Sequence, residues 1–180
     1  MKATRDERFE SLYWAHHRDL LAFIRRRTSP ESAEDVLAEV FVVVWRRIDE
    51  IPEYERAWLF TVARNTIGTH LRAQNRRWAL HVRMAIEPPP AQQDLSAAIA
   101  TRADLVEAWN RLTDSEQEVI ALVAWDELSQ NDAALVLGIT KSAFAVRLFR
   151  ARRRLLHLLE RTSSNRPRRP GEKQTERSLR

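Results

Sequence analysis

Cysteine is absent from this 180-residue sequence, and glycine occurs only three times. Without cysteine there is no disulfide, no thiolate nucleophile and no cysteine-ligated zinc. So few glycines exclude a glycine-rich phosphate loop and favour helical bundles. Long apolar runs are also lacking: a stretch such as residues 40–45 is far too short to span a bilayer, and none exceeds seven residues. Met1 is followed by Lys, Arg, Asp and Glu with no apolar leader core, so a soluble cytoplasmic chain without membrane insertion is expected.

What is present is 44% hydrophobic residues, enough for one domain or two small ones, and a strongly uneven charge distribution. The formal net charge is +5, and residues 161–180, with seven basic and two acidic residues, account for all of it. The remainder sums to zero but is segregated. Residues 56–86 carry six arginines and no acid, and residues 133–159 carry six Lys or Arg and no acid. Between them, residues 87–132 hold ten acids against two arginines. Two acid-free basic windows point to two contacts with a polyanion, and acidic connectors would be repelled from it. Arginines that merely decorate solvated faces would explain the basicity but not the missing acids.

The most informative stretch is residues 129–154. Gly138 can supply the left-handed residue that ends one helix, and Thr140 can cap the next, which gives a helix-turn-helix pattern. In the second helix Phe144, Leu148, Ala151 and Leu155 follow the spacing of a buried stripe. Opposite them fall Ser142, Val146, Phe149 and Arg153, flanked by Ala145 and Arg150. Apolar groups for thymine methyls, beside arginines for phosphate or guanine, are what a recognition helix in a major groove needs. The plainer alternative is a basic helix on the surface of a bundle.

In chain order, residues 6–27 read as a first helix with Phe9, Leu12, Tyr13, Leu20, Phe23 and Ile24 turned inward. His17-Arg18-Asp19-Leu20 resembles a piece of a kinase catalytic loop, but the asparagine and glycine-loop partners are missing. His16 and His17 are adjacent, point apart on a helix and make a poor metal pair. Ser29-Pro30-Glu31 starts a second helix that runs to about residue 48, with serine as cap and proline in the first turn. Val36, Leu37, Val40, Phe41 and Val44 can serve the core. Val42 and Val43, with Asp35 and Glu39, are left as an acid-rimmed apolar surface for a partner, unless other helices of the chain simply bury it.

A third helix is expected over residues 57–77. Its inner stripe is Leu59, Val62, Ala63, Ile67 and Leu71, and Asn65, Thr69, Arg72 and Arg76 line another face. Amide, hydroxyl and guanidinium groups in a row suit bases and phosphates, and Trp58, Phe60 or Trp78 could stack an unpaired base if not committed to the core. Residues 79–101, with Pro88-Pro89-Pro90, read as a flexible linker. Residues 105–112 and 115–125 supply helices that support the helix-turn-helix, and Thr113-Asp-Ser-Glu116 forms a capping box. Residues 161–180 read as a disordered basic tail.

Asp35-Val-Leu-Ala-Glu-Val-Phe-Val-Val-Val-Trp45, then Trp58-Leu-Phe-Thr-Val-Ala-Arg-Asn65 and Leu71-Arg72, resembles the second conserved region of bacterial sigma-70 factors of the extracytoplasmic-function (ECF) group. Leu128-Ser129, Ala133-Ala134, Leu137-Gly138-Ile139 and Arg147-Leu148-Phe149-Arg150-Ala151-Arg152 are similar to that group's fourth region. Three positions depart from the pattern. Ala38 stands where glutamine is frequent, Thr113 replaces a usual proline, and Ser142-Ala143-Phe144-Ala145-Val146 replaces a Gly-Thr-Val-Lys-Ser-like run. They bear on partner contacts and promoter sequence rather than on fold.

The resemblance implies an all-α protein of two small helical domains: residues 1–78 like sigma region 2, a linker over 79–101, residues 102–160 like region 4 and a tail over 161–180. It implies a sigma factor rather than an enzyme, with no cofactor and no metal. Asp35, Glu39, Val42 and Val43 would meet the clamp helices of the RNA polymerase β′ subunit. Trp58, Asn65, Thr69, Arg72 and Arg76 would read and open the −10 element of promoter DNA. Ser142, Ala145, Val146, Phe149, Arg150 and Arg153 would read the −35 element, with the β flap as neighbour. An anti-sigma factor is a further partner the resemblance admits. The rivals are a dimeric helix-turn-helix regulator of operator DNA and, more remotely, an enzyme using Asp35, Glu39 and His16 or His17 as acid–base groups.

Overall fold

The computed structural model describes residues 4–73 and 95–164, and among them there is no strand. Helix α1 spans Arg5–Arg25 and α2 Pro30–Arg46, followed by one 3₁₀ turn at Ile48–Glu50. Helix α3 spans Glu55–Ala73, α4 Leu95–Asn110, α5 Asp114–Ala124, α6 Gln130–Leu137 and α7 Lys141–Ser164. None of the described helices is long and apolar enough to cross a membrane. Helices α1–α3 pack on one another, and α4, α5 and α6 each pack on α7, giving two small helical units.

Local chemistry sets most boundaries. A capping box starts α1, with Thr4 Oγ1 accepting from the Glu7 amide at 3.2 Å and Glu7 Oε2 accepting from the Thr4 amide at 2.8 Å. The same box at Thr113 and Glu116 starts α5, in the expected place. Ser29 has the extended backbone of a cap, yet its hydroxyl accepts from no backbone amide of the first turn of α2 and meets Ser32 Oγ at 3.0 Å instead. Proline at the first position leaves one fewer amide there to satisfy. Two boundaries differ from the sequence reading. Helix α4 begins at Leu95, inside the stretch expected as linker, because Leu95-Ser-Ala-Ala-Ile-Ala is rich in alanine and free of proline and glycine. Helix α7 runs to Ser164, past the expected start of the tail.

The inward stripes are those the periodicity predicts. Leu20, Phe23 and Ile24 of α1, Val36, Val40 and Val44 of α2, and Leu59, Ala63 and Ile67 of α3 are fully buried, and Phe60, outside the predicted stripe, joins them. Each such aliphatic or aromatic side chain contributes roughly 1.5–3 kcal/mol by leaving water. Phe9 and Tyr13 are half-buried and pack on Phe41, with ring centroids 6.0 and 4.8 Å away. In the other unit Phe144, Leu148 and Ala151 of α7 are buried, and Trp109 and Trp125 lie 4.6 Å apart.

The two units touch. Helix α3 packs against α6. Beside that contact, the end of α1 meets the turn after α5 through charge. Arg27 Nη2 donates to Asp126 Oδ2 at 2.8 Å, and Arg26 donates to the other carboxylate oxygen. Arg27 Nε lies 3.4 Å from Glu118 Oε1, and its guanidinium covers the Phe23 ring at 3.7 Å. The side chains of Arg27 and Asp126 have no solvent exposure. Arg56 completes the joint, donating to the carbonyls of Asp126 at 3.0 Å and Glu127 at 3.3 Å and to Asp19 Oδ2 at 2.9 Å.

Candidate nucleic-acid and partner interfaces

On α2 the outer face is apolar in the middle and acidic at the rim. Asp35, Ala38, Glu39 and Val42 are exposed, Val42 at 48% of its surface, and Trp45 follows on the same side. The other described helices therefore do not bury this face. Val43 is the exception among the residues assigned to it: it is half-buried against the core, because it stands one position, or 100°, round the helix from Val42. Trp45 and Ala38 replace it as exposed members. Trp45 is held from below: Arg5 donates to its carbonyl at 3.0 Å, and Phe9 meets its ring edge-on at 5.3 Å.

On α3, Asn65 and Thr69 are exposed one turn apart, and the Thr69 hydroxyl donates to the Asn65 carbonyl at 3.1 Å. Trp58, two turns before Asn65, is half-buried, with the Arg47 guanidinium 5.5 Å from its ring centroid. Trp58 therefore keeps part of its surface in solvent, whereas Phe60 does not: it is fully buried and packs edge-on to Phe23 at 5.0 Å. A helix apolar on most sides hides this distinction until its neighbours are known. Arg72 belongs to the last turn of α3, while Arg76 and Trp78 lie outside the described residues. The charge reading also changes here, since Arg56, counted in the first basic window, is spent on the joint between the units.

In the helix-turn-helix, Gly138 has φ +64°, as expected of a left-handed terminator, and Thr140 Oγ1 accepts from the Ala143 amide at 3.2 Å. Ser129 caps α6 by accepting from the Asp132 amide at 3.1 Å. These caps and the buried stripe fix the orientation of α7. Its opposite face carries Ser142, Val146, Phe149, Arg150 and Arg153, all exposed, with Phe149 open over 65% of its surface. Ala145 is half-buried on the flank. Exposed valine and phenylalanine in a row of arginines is an arrangement that water alone does not favour; a groove with methyl groups and phosphates accommodates both kinds of group. Arg154 is turned away toward Glu116 at 3.5 Å.

Sequence reasoning missed the cluster around Asp126. By composition the acids of residues 87–132 are connectors repelled from a polyanion, but Glu118 and Asp126 are buried against arginines of the first unit. The only local hint was the adjacent pair Arg26-Arg27 at the end of a helix.

Two family models match the chain: sigma-70 region 2 over residues 12–77 and sigma-70, region 4 over residues 102–155. The RNA polymerase sigma factor CnrH of Cupriavidus metallidurans is 32% identical over 146 residues, covering 73% of this chain and 75% of that protein. The RNA polymerase sigma factor NccH of Alcaligenes xylosoxydans is 28% identical over 162 residues, covering 84% and 87%. Among solved structures, the sigma factor RpoE in complex with the anti-sigma factor NepR, from Bartonella quintana, matches with a TM-score of 0.60 at 27% identity. That match covers 84% of this chain and 96% of RpoE.

Proposed function

The chain belongs to the sigma-70 family, in its extracytoplasmic-function group, and on that premise we propose how its surfaces divide the work of promoter-directed initiation. The outer face of α2, with Asp35, Glu39 and Val42 at its centre and Val43 at its edge, takes the clamp helices of the polymerase β′ subunit. Trp58, Asn65, Thr69, Arg72 and Arg76 receive the −10 element. Ser142, Ala145, Val146, Phe149, Arg150 and Arg153 receive the −35 element, beside the β flap. The unit boundaries follow: a region-2 unit over residues 1–78, a connector from 79, a region-4 unit to 160 and a basic tail beyond, with the connector ending where α4 begins.

The observation that carries this reading is that two helices, one in each unit, leave apolar side chains in water on opposite electrostatic backgrounds. Val42 has the acids Asp35 and Glu39 on its side of α2, with Trp45 beyond it against the Arg5 guanidinium, whereas Val146 and Phe149 sit among arginines. A dimeric operator-binding regulator would leave the first of these faces without a task. The chain supplies binding and no chemistry: capture of unstacked promoter bases offsets the cost of separating the strands, and the polymerase forms the bonds. It works in the cytoplasm, with polymerase and promoter. CnrH has been solved with the cytosolic domain of CnrY, and RpoE with an anti-sigma factor, which supports an anti-sigma protein as a partner here too.

Run-off transcription with core RNA polymerase on a library of promoter fragments tests the assignment. Start sites that need this chain, and share two elements at fixed spacing, are the expected result. No transcript, together with tight binding to a palindromic duplex without polymerase, would favour the dimeric regulator.

A further inference from the structure

We propose that the polymerase-facing surface does not end at α2 but crosses onto α1, where Trp14 is a second anchor for the β′ clamp helices. The inference rests on the reading of α2 given above.

Trp14 is the most exposed large apolar side chain among the described residues, open over 78% of its surface. Neither the core, nor the two DNA faces, nor the outer face of α2 makes use of it. A single apolar residue in water needs no explanation, but Trp14 is not isolated. Its ring meets Tyr13 edge-on at 5.2 Å, Tyr13 lies 6.5 Å from Phe9 and 4.8 Å from Phe41, and Phe9 meets Trp45 edge-on at 5.3 Å. The exposed indoles of Trp14 on α1 and Trp45 on α2 are thus the two ends of one row of rings. Phe9 and Tyr13, in the middle, are half-buried and keep part of their surface in solvent. The row follows the seam between the two helices. Arg5 donates to the Trp45 carbonyl at one end of α1, and Arg25 donates to Glu34 at 2.8 Å at the other.

Size says why the surface has to cross that seam. A specific protein interface takes about 800 Å² and roughly 20–30 residues from each side. The outer face of α2 is a strip one helix wide, about 10 Å across. It must widen onto a neighbour, and α2 packs on two, α1 and α3. The −10 element occupies the outer face of α3 in the reading above, which leaves α1. Packed helices lie about 8–10 Å apart, so anchors on α1 and α2 match the spacing of a partner that is itself a pair of helices.

Charge excludes nucleic acid as the occupant. Glu7 and Glu10, exposed on the turns before Trp14, set an acidic edge as Asp35 and Glu39 do beside Val42, and Arg18 follows on the far side. Tryptophan is also the side chain best suited to anchor a protein partner, since it removes a large apolar area from water with few torsions to fix.

The test uses the full chain and core RNA polymerase without promoter DNA. Trp14→Ala should lower the affinity for core polymerase by roughly 10-fold or more, with helical content and the urea midpoint unchanged because the side chain is exposed. Trp14→Phe, which keeps a ring, should restore most of that affinity. Benzoylphenylalanine in place of Trp14 should crosslink to the β′ subunit on illumination. Wild-type affinity in Trp14→Ala, or a crosslink only to another subunit or to a second copy of this chain, would overturn the proposal. Val42→Glu, measured beside these, separates the two readings. A loss with Val42→Glu and none with Trp14→Ala leaves the α2 face standing alone. No loss with either removes the α2 face and its extension together.

Discussion

The outer faces of α2 and α7 are alike in construction and opposite in charge. Each belongs to a helix whose far side is sealed in a core, and each leaves large apolar side chains exposed, the pair Val42 and Trp45 in one and the pair Val146 and Phe149, followed by Leu156, in the other. Around the first stand Asp35 and Glu39; around the second stand Arg147, Arg150 and Arg153. The apolar pair in both cases supplies the energy of burial, and the rim decides which polyion is admitted. An acidic rim repels nucleic acid and admits a protein surface, whereas an arginine rim does the reverse.

The largest effect should come from the core beneath one face. Phe144→Ala empties a fully buried site under α7 and should cost about 3–5 kcal/mol in urea unfolding, with loss of −35 duplex binding. Polymerase binding through α2 should survive it; if it disappears too, the two faces are not independent. Arg150→Ala should weaken −35 recognition by about 1–3 kcal/mol at particular base pairs, measured by competition among duplex variants. Equal loss on every sequence would make Arg150 a phosphate contact. Val42→Ala should reduce polymerase affinity by about 1–2 kcal/mol and leave stability within about 0.5 kcal/mol. Equal losses in binding and stability would mean that the exposed face of α2 is not an interface. The smallest effect is at the turn: Thr140→Ala removes a cap and should lower stability by about 1 kcal/mol in thermal unfolding, with promoter choice unchanged.

Much of this was legible because it is local. The helix-turn-helix needs only Gly138, Thr140 and a stripe of Phe144, Leu148 and Ala151, all within a few turns of one another. The exposed α2 face follows from the angle between Val42 and Val44 on one helix. Val43, at the border of that face, was assigned by angle to a partner and is held in part by the core. Phe60 was open to two readings because α3 is apolar on most sides, and only its packing on Phe23 decides between them. The joint was not legible at all, since Arg27 and Asp126 are 99 positions apart and no periodicity links them. Its acids were visible as composition and invisible as contacts.

Gly138 sets a different kind of limit. A Cβ built there meets no atom within 4 Å, so the turn between α6 and α7 has room for a side chain and restricts only the backbone torsion at φ +64°. Substitutions at this position should therefore be ranked by their tolerance of the left-handed region and hardly at all by volume. Asparagine, though larger than alanine, should be the milder replacement, and β-branched residues the worst. Within the second unit, this is a position where size is free and the shape of the chain is not.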